Sequence, residues 1–342
     1  MERARATVLF LTLAMLGGGG ELSGQTFQIG IIDFYGLRTV SAVEARQALT
    51  FKEGDTVDPD DERLAESERR LSALPGVVRA HAGLVCCNAG RAIIFVGVEE
   101  KGQAIMHFRA APRGTARLSA DVVKAGDEFV PALIAAVERG DFGEDRSQGH
   151  SLNHDPATRA IQERFISYAN RDRLNLRRVL RDSSDPKHRA LAARVLGYVA
   201  DKQGVVGDLV DGMSDPSEDV RNNAMRTLLV FAEATPTPTR PVTRVPYRPF
   251  IPFLNSPVWT DRNKAAGALA ELSKSRNRQL LNTLAREAIA SLVEMARWKS
   301  RDHAEDAFTI LGRIAGLSDE AIRAVWDRGE RETVIGAALN RH

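Results

Sequence analysis

Asp185 with Pro186 and Asp215 with Pro216 are the same helix-opening signal, a carboxylate that can accept from free first-turn amides and a proline that needs no amide partner. The residues behind the two signals line up. Arg189, Ala192, Arg194, Leu196 and Ala200 match Arg221, Ala224, Arg226, Leu228 and Ala232, 32 positions further on. The pattern returns 41 positions later as Arg262, Ala265 and Leu269, and after another 42 as Ala304, Ala307, Leu311 and Ala315. Between them lie apolar helical stretches at Ile161 to Ala169, Leu174 to Leu180, Val205 to Met213 and Leu280 to Trp298. A helix pair of this size cannot bury its apolar stripe alone, so residues 156–342 are expected to form a stacked helical array. Alanines at the shared positions let helices approach closely. On this reading Ala224→Arg is far more damaging than Asp215→Ala, which removes only a cap worth ~1 kcal/mol.

The array accounts for about half of a 342-residue chain, and 43% hydrophobic with 27% charged residues exclude a disordered or collagen-like protein. A net charge of +2 is no polycation, and two cysteines exclude a disulfide-dense mini-protein or a zinc ribbon.

At the start, Glu2, Arg3 and Arg5 precede an apolar run from Ala6 to Leu16, and Gly17 to Gly20 end it. The run is about half of the ~20 residues that a spanning helix needs, so residues 1–24 read as an export signal cut near Gly24 rather than an anchor. The protein is then expected outside the cytosol, in a periplasm, where ATP and genomic DNA are poor partners.

Residues 25–101 form a first module. Phe27 to Tyr35 is β-branched and apolar, Ser41 and Glu44 make a capping box before a short helix, and Asp58 with Pro59 opens a second helix carrying Leu64 and Leu71. Val77 to Cys86, apolar at alternate positions, and Ala92 to Val98 are two further strands, giving an α+β module of order βααββ. Cys86 and Cys87, as strand neighbours, are expected to be one buried and one exposed thiol, with a vicinal disulfide or an intermolecular bridge through Cys87 as the alternatives. The series Ile31, Gly36, Val40, Ser41, Gly54, Leu64, Leu71, Pro75 to Val78, Val96, Val98 and Glu99 resembles a POTRA domain, the module of outer-membrane barrel insertases and two-partner secretion transporters. The resemblance implies that the sheet edge at Val77 to Cys86 takes up an extra strand from a partner. It points to Arg79 and His81, on that strand, as partner-binding residues. Members usually continue into a transmembrane β-barrel, and helical repeats stand here instead.

Residues 102–155 connect the modules, with a helix expected at Ala120 to Arg139 and a loop at Gly140 to Asp155. His150 and His154 are four apart, but Gly149 and Pro156 argue for loop rather than a metal-binding helix face, so no metal or cofactor is expected. Seven of the fourteen prolines crowd into an insertion at 235–257, read as a break between repeats or a polyproline-like strap. The aspartate-proline-arginine pattern of 182–232 is similar to HEAT repeats, an armadillo-type α-solenoid, which implies a protein-binding surface.

Charge separates the halves. Residues 25–101 carry 9 basic and 12 acidic side chains, residues 156–342 carry 30 and 23, and a run of arginines that includes Arg177 and Arg178 makes the start of the second half basic. Arg177, Arg178, Arg189 and Arg221 are therefore expected to face an acidic protein partner, the acidic first module itself or, peripherally, an anionic membrane surface. No nucleophile elbow or penicillin-binding-type Ser/Lys spacing occurs. The expected function is a non-catalytic envelope scaffold binding outer-membrane or other envelope proteins and no nucleic acid, in assembly or secretion. A helical-repeat lyase or glycosylase with a basic concave face is the alternative.

Overall fold

The computed structural model describes residues 26–103, 106–141, 143–234 and 243–341. The expected export signal, residues 1–24, and residues 235–242 of the proline-rich insertion lie outside the described residues. The chain opens with β1 (Phe27–Tyr35), α1 (Ala42–Ala48), β2 (Thr56–Val57), α2 (Glu62–Ser72), β3 (Val77–Asn88) and β4 (Arg91–Glu100). They make a four-stranded sheet in the order β2-β1-β4-β3, with β1 and β4 parallel and the outer pairs antiparallel. The expected capping box closes α1, where Glu44 N donates to Ser41 Oγ at 3.1 Å and Ser41 N to Glu44 Oε2 at 3.0 Å. The cap of α2 is Asp61 rather than Asp58, because Asp58 instead accepts from Asp60 N in the preceding turn.

Helices α1 and α2 lie over one face of the sheet, burying Ala45, Leu64 and Leu71 against Ile29, Ile32, Ala80, Ala82, Leu84, Ile94 and Val96. Glu100, itself buried, ties the loop between β1 and α1 by accepting from the amides of Arg38, Thr39 and Val40 at 2.8–3.1 Å. The cysteines depart from expectation. Register slips between Val85 and Asn88, so strict alternation fails there, and Cys86 and Cys87 are joined to each other as a disulfide with both residues half-buried.

Residues 107–246 form one compact unit. An extended stretch leads into α3 (Ala120–Glu138), a two-residue-per-strand hairpin of β5 (Glu144–Asp145) and β6 (Leu152–Asn153), then α4 (Pro156–Arg171), α5 (Arg173–Asp182), α6 (Pro186–Val195), α7 (Val206–Gly212) and α8 (Glu218–Glu233). Asp185 caps α6 as expected, accepting from Lys187 N at 2.9 Å with Pro186 in the first turn. Asp215 does not cap α8, which begins later at Glu218. Its buried carboxylate receives Nε and Nη2 of Arg189, both at 2.8 Å, Nη2 of Arg109 at 2.8 Å and, in the turn before the helix, Ser217 N at 2.9 Å. Arg109 belongs to the extended stretch, which is pinned across the repeat turns by Arg109 N to Ser214 O and Gly114 N to Asp182 O, each 2.8 Å.

The second compact unit joins the α+β module to residues 247–342, so the units do not follow the linear order of the modules. From Arg248 to Asn255 the insertion is a 3-10 helix, whose Phe250, Ile251, Phe253 and Leu254 are buried. Then follow α9 (Trp259–Leu272), α10 (Arg278–Ala296), α11 (Arg301–Ile314), α12 (Asp319–Arg328) and α13 (Arg331–Leu339). The start of α9, the turn after α10 and the start of α11 cover the other face of the sheet. Phe95 on β4 stacks on Trp259 with centroids 5.2 Å apart and meets Trp298 at 5.0 Å and the edge of His303 at 5.3 Å. Tyr35 donates its hydroxyl to Pro257 O at 2.7 Å, and Asp33 accepts from Lys299 N at 2.7 Å. Gly97 has to be glycine, since a Cβ there would run into the Pro257 carbonyl. Glu294 of α10 accepts from Gly36 N at 2.9 Å and from Arg262 Nη1 at 2.7 Å.

Two outcomes follow. Asp215→Ala strands a buried guanidinium, so it should destabilise by about 3 kcal/mol or more, against ~1 kcal/mol for the true cap in Asp185→Ala. Equal shifts of the two variants in urea melts would show that the Arg189 pair carries no such load. His303, buried between aromatic rings, has its pKa pushed down to about 3 by burial and by the charge of Lys264. An unfolded chain protonates its histidines near pH 6.5 and the folded chain only near 3, so between these values the unfolded state binds more protons and stability falls as pH falls. We predict that wild type loses ~1–2 kcal/mol more than His303→Leu between about pH 7 and pH 5 in urea melts; parallel profiles would exclude His303 as the source.

Candidate binding surfaces

Strand β3 is an edge of the sheet, and its outward donors can be identified. Ala80 N donates to Ser72 Oγ at 3.2 Å and Ala82 N to Glu68 Oε1 at 2.7 Å, both on α2. Amides alternate along an antiparallel strand, so those of Arg79 and His81 turn inward to β4. The side chain of Arg79 pairs with buried Glu99, Nη2 to Oε2 at 2.9 Å, and Glu99 also accepts from Met106 N at 2.7 Å. His81 stands beside Gly83, on the side of the strand opposite Ala80 and Ala82. The edge is therefore shielded over Ala80 to Ala82 by side chains of its own module, a common way of blunting an unpaired strand.

The arginines expected to form a basic surface are placed differently. Arg177 pairs with Asp208 at 2.7 Å and Arg178 donates to Asn175 at 2.9 Å. Around them Arg173 pairs with Asp201, Arg181 with Asp182, Arg171 with Asp121 and Arg164 with Glu128. Most of the basic run is matched by carboxylates, four of them far away in sequence and one, Asp182, next to its arginine. Arg189 and Arg221 do not reach the surface at all, each being 2% exposed. Arg189 is held by Asp215, while Arg221 lies 4.0 Å over the Phe108 ring and donates to Asp215 O at 3.0 Å. A partner meets neither.

Composition did not single out the cluster at α6 and α8. Asn223 Nδ2 donates to Ala190 O at 3.0 Å and Thr227 Oγ1 to Ala193 O at 3.1 Å, locking one helix to the other. Beside this ladder Arg226 Nη2 holds both oxygens of Glu144, at 2.6 and 2.9 Å, and Arg146 Nε adds a bond at 2.8 Å. Burial works against the charge of Glu144, but Arg226 and Arg146 outweigh it and hold the carboxyl down at about 2. Arg194, the repeat equivalent of Arg226, donates to Asn223 Oδ1 at 3.0 Å and lies 4.9 Å from the Phe129 ring centre. Burial and the neighbouring charge of Arg226 push its pKa down to about 10. The signal for this pair was the recurrence of arginine 32 positions apart beside the alanine and leucine stripe. Nothing in the sequence pattern linked it to Glu144.

His150 packs on Tyr198 with centroids 5.7 Å apart, and no group of three or more potential metal-binding side chains occurs among the described residues.

Residues 175–238 match the family model of HEAT repeats, the stretch from α5 to α8 that holds the 32-residue recurrence. No curated protein matches the chain. Among solved structures it is similar to a designed armadillo repeat protein at 16% identity, over 54% of this chain and 93% of that one, with a TM-score of 0.36. It is also similar to a computationally designed armadillo repeat protein for modular peptide recognition, at 17% identity over 54% and 93% with a TM-score of 0.37. An engineered protein is similar at 17% identity, over 65% of this chain and 96% of that one, with a TM-score of 0.36. The helices of 175–238 are thus similar to HEAT repeats and form part of a helical repeat array.

Glu68→Ala should cost about 1–2 kcal/mol and leave Ala82 N without its acceptor. In amide hydrogen exchange we expect Ala82 to be protected in wild type, edge position notwithstanding, and to exchange faster in the variant than its neighbours His81 and Gly83; equal protection in both proteins would show that Glu68 does not shield the edge.

Proposed function

We propose that the chain is an exported, non-catalytic scaffold of the cell envelope, with a POTRA-like first module that binds a partner strand at β3 and HEAT-type repeats that hold a second protein. The observation that carries this reading is the edge of β3, where the outer amides at Ala80 and Ala82 are met by two side chains and by no strand. Side-chain acceptors can rotate away, whereas a neighbouring strand cannot, so the edge is blunted yet open to strand addition. The order β1, α1, β2, α2, β3, β4, which adds a two-residue strand between the helices of the expected βααββ, and the short apolar run before Gly17 are the further supports, and together they favour outer-membrane protein assembly or secretion as the setting. No helix among the described residues is long and apolar enough to cross a membrane.

The test is capture in cells. A photocrosslinker placed on β3 should trap a stoichiometric envelope protein, and Ala82→Pro, which removes an outward donor, should abolish that product while circular dichroism stays native. His81→Pro should unfold the module, since it breaks the inner ladder. Retention of the crosslink in a folded Ala82→Pro protein, or recovery of an uncleaved Met1 terminus from the cytosol, would overturn the proposal.

A further inference from the structure

On the face where α6 and α8 meet, a piece of the chain lies over Arg226, one of the two repeat-related arginines. The hairpin of β5 and β6 offers Glu144 to Arg226, the Ser151 hydroxyl to Arg226 Nη2 at 3.2 Å, and the Ser151 carbonyl to the Tyr198 hydroxyl at 2.9 Å. Asn153 N donates to Gln162 Oε1 of α4 at 2.6 Å. Each strand of the hairpin pairs over only two residues, too little to be stable alone. Its shape therefore comes from the helices beneath it, as a bound peptide's would.

The charges on this face are not balanced by their occupant. The hairpin's carboxylate at Glu144 is shared between Arg226 and the hairpin's own Arg146, which in turn reaches Glu233 at 3.0 Å. Arg194, one repeat away, has no carboxylate within ion-pair distance among the described residues, and its neighbours are Asn223 and the Phe129 ring. Glu144 and Asp219 act on it only through longer-range charge, with no ion pair to either. A half-buried guanidinium with a neutral partner, next to one already holding a carboxylate, is a site for a second acid spaced one repeat from the first.

We propose that the α6 and α8 face is a recognition surface for an extended acidic segment of a partner protein, and that residues 143–154 are its intramolecular stand-in. The segment sets one carboxylate on Arg226, where Glu144 now sits, and another on Arg194, and the hairpin swings off to admit it. This surface is separate from the β3 edge and does not depend on the strand-addition reading.

The full chain can be tested without disturbing the arginines. Gly149, at the hairpin tip, has φ +70° and lies against Lys202 and Ala234, so a side chain there both strains the turn and pushes the tip away. A fluorescent peptide alternating glutamate and serine serves as probe, with its glutamine counterpart as control. Because an occupied face binds only in proportion to its open fraction, Gly149→Val should bind the acidic probe about tenfold or more tighter than wild type. Adding Arg194→Gln and Arg226→Gln should remove the gain, and the glutamine peptide should show none. In wild type, saturating acidic peptide should speed hydrogen exchange over 143–154, a reading that needs no variant to fold. Unchanged exchange in wild type overturns the proposal, as does a gain that survives loss of both arginines or a folded Gly149→Val protein that gains nothing.

Discussion

Three buried arginines set the geometry of the helical regions. Arg189, Arg221 and Arg262 each turn back to a backbone carbonyl six residues upstream, those of Ser183, Asp215 and Ser256, at 2.7–3.0 Å. That carbonyl lies in the turn before the arginine's own helix, so one guanidinium fixes the angle at which each helix leaves its predecessor. The remaining donors reach a carboxylate or an aromatic face: Arg189 takes Asp215, Arg221 lies over Phe108, and Arg262 takes Glu294 and lies 4.4 Å over Tyr35. A planar fork with five donors can serve several partners at once, which a lysine could not do. The charge is tolerable inside only because all these partners are present together.

The same device is used twice to fasten non-helical chain to helices. In residues 107–246 the partner set includes Arg109 and Phe108 of the extended stretch. In the other unit it includes Tyr35 at the end of β1. Repeat arginines thus specify helix stacking and also what the stacks carry on their flanks, and the sheet and the extended stretch are held by polar contacts around a cation as well as by apolar burial.

Much of this was legible from residue spacing. The 32-residue recurrence placed α6 and α8, the capping box placed α1, and alternation placed β3. β4 also carried a message in Ile93, Ile94, Phe95 and Val96, since an unbroken apolar run marks a strand buried on both faces. What covers its second face was not legible, because Trp259, Trp298 and His303 read as ordinary helix residues of a distant segment. Asp215 misled for a local reason. Aspartate before proline is a cap signal, yet α8 starts beyond Asp215, whose carboxylate holds two arginines and the Ser217 amide of the preceding turn together. Arg177 and Arg178 misled for a long-range one: a run of like charge in sequence says nothing about acids such as Asp208 that folding brings beside it. Glu144 as an occupant of the repeat face had no local signature at all.

Asp33 and Lys299 are joined across 266 residues of sequence. A ribosome or an export channel delivers the sheet long before the helices that cover its second face, so Phe95 and Tyr35 must wait for the far end of the chain. Closing so large a loop is a slow, non-local step, and the half-finished molecule presents an aromatic sheet face to whatever is nearby. The chain therefore has an interval of vulnerability built into its order of synthesis, in which a holding chaperone would be of most use. A nonsense change anywhere in the last third would make that interval permanent, and the fragment's fate would be decided by aggregation or proteolysis rather than by the stability of the α+β module itself.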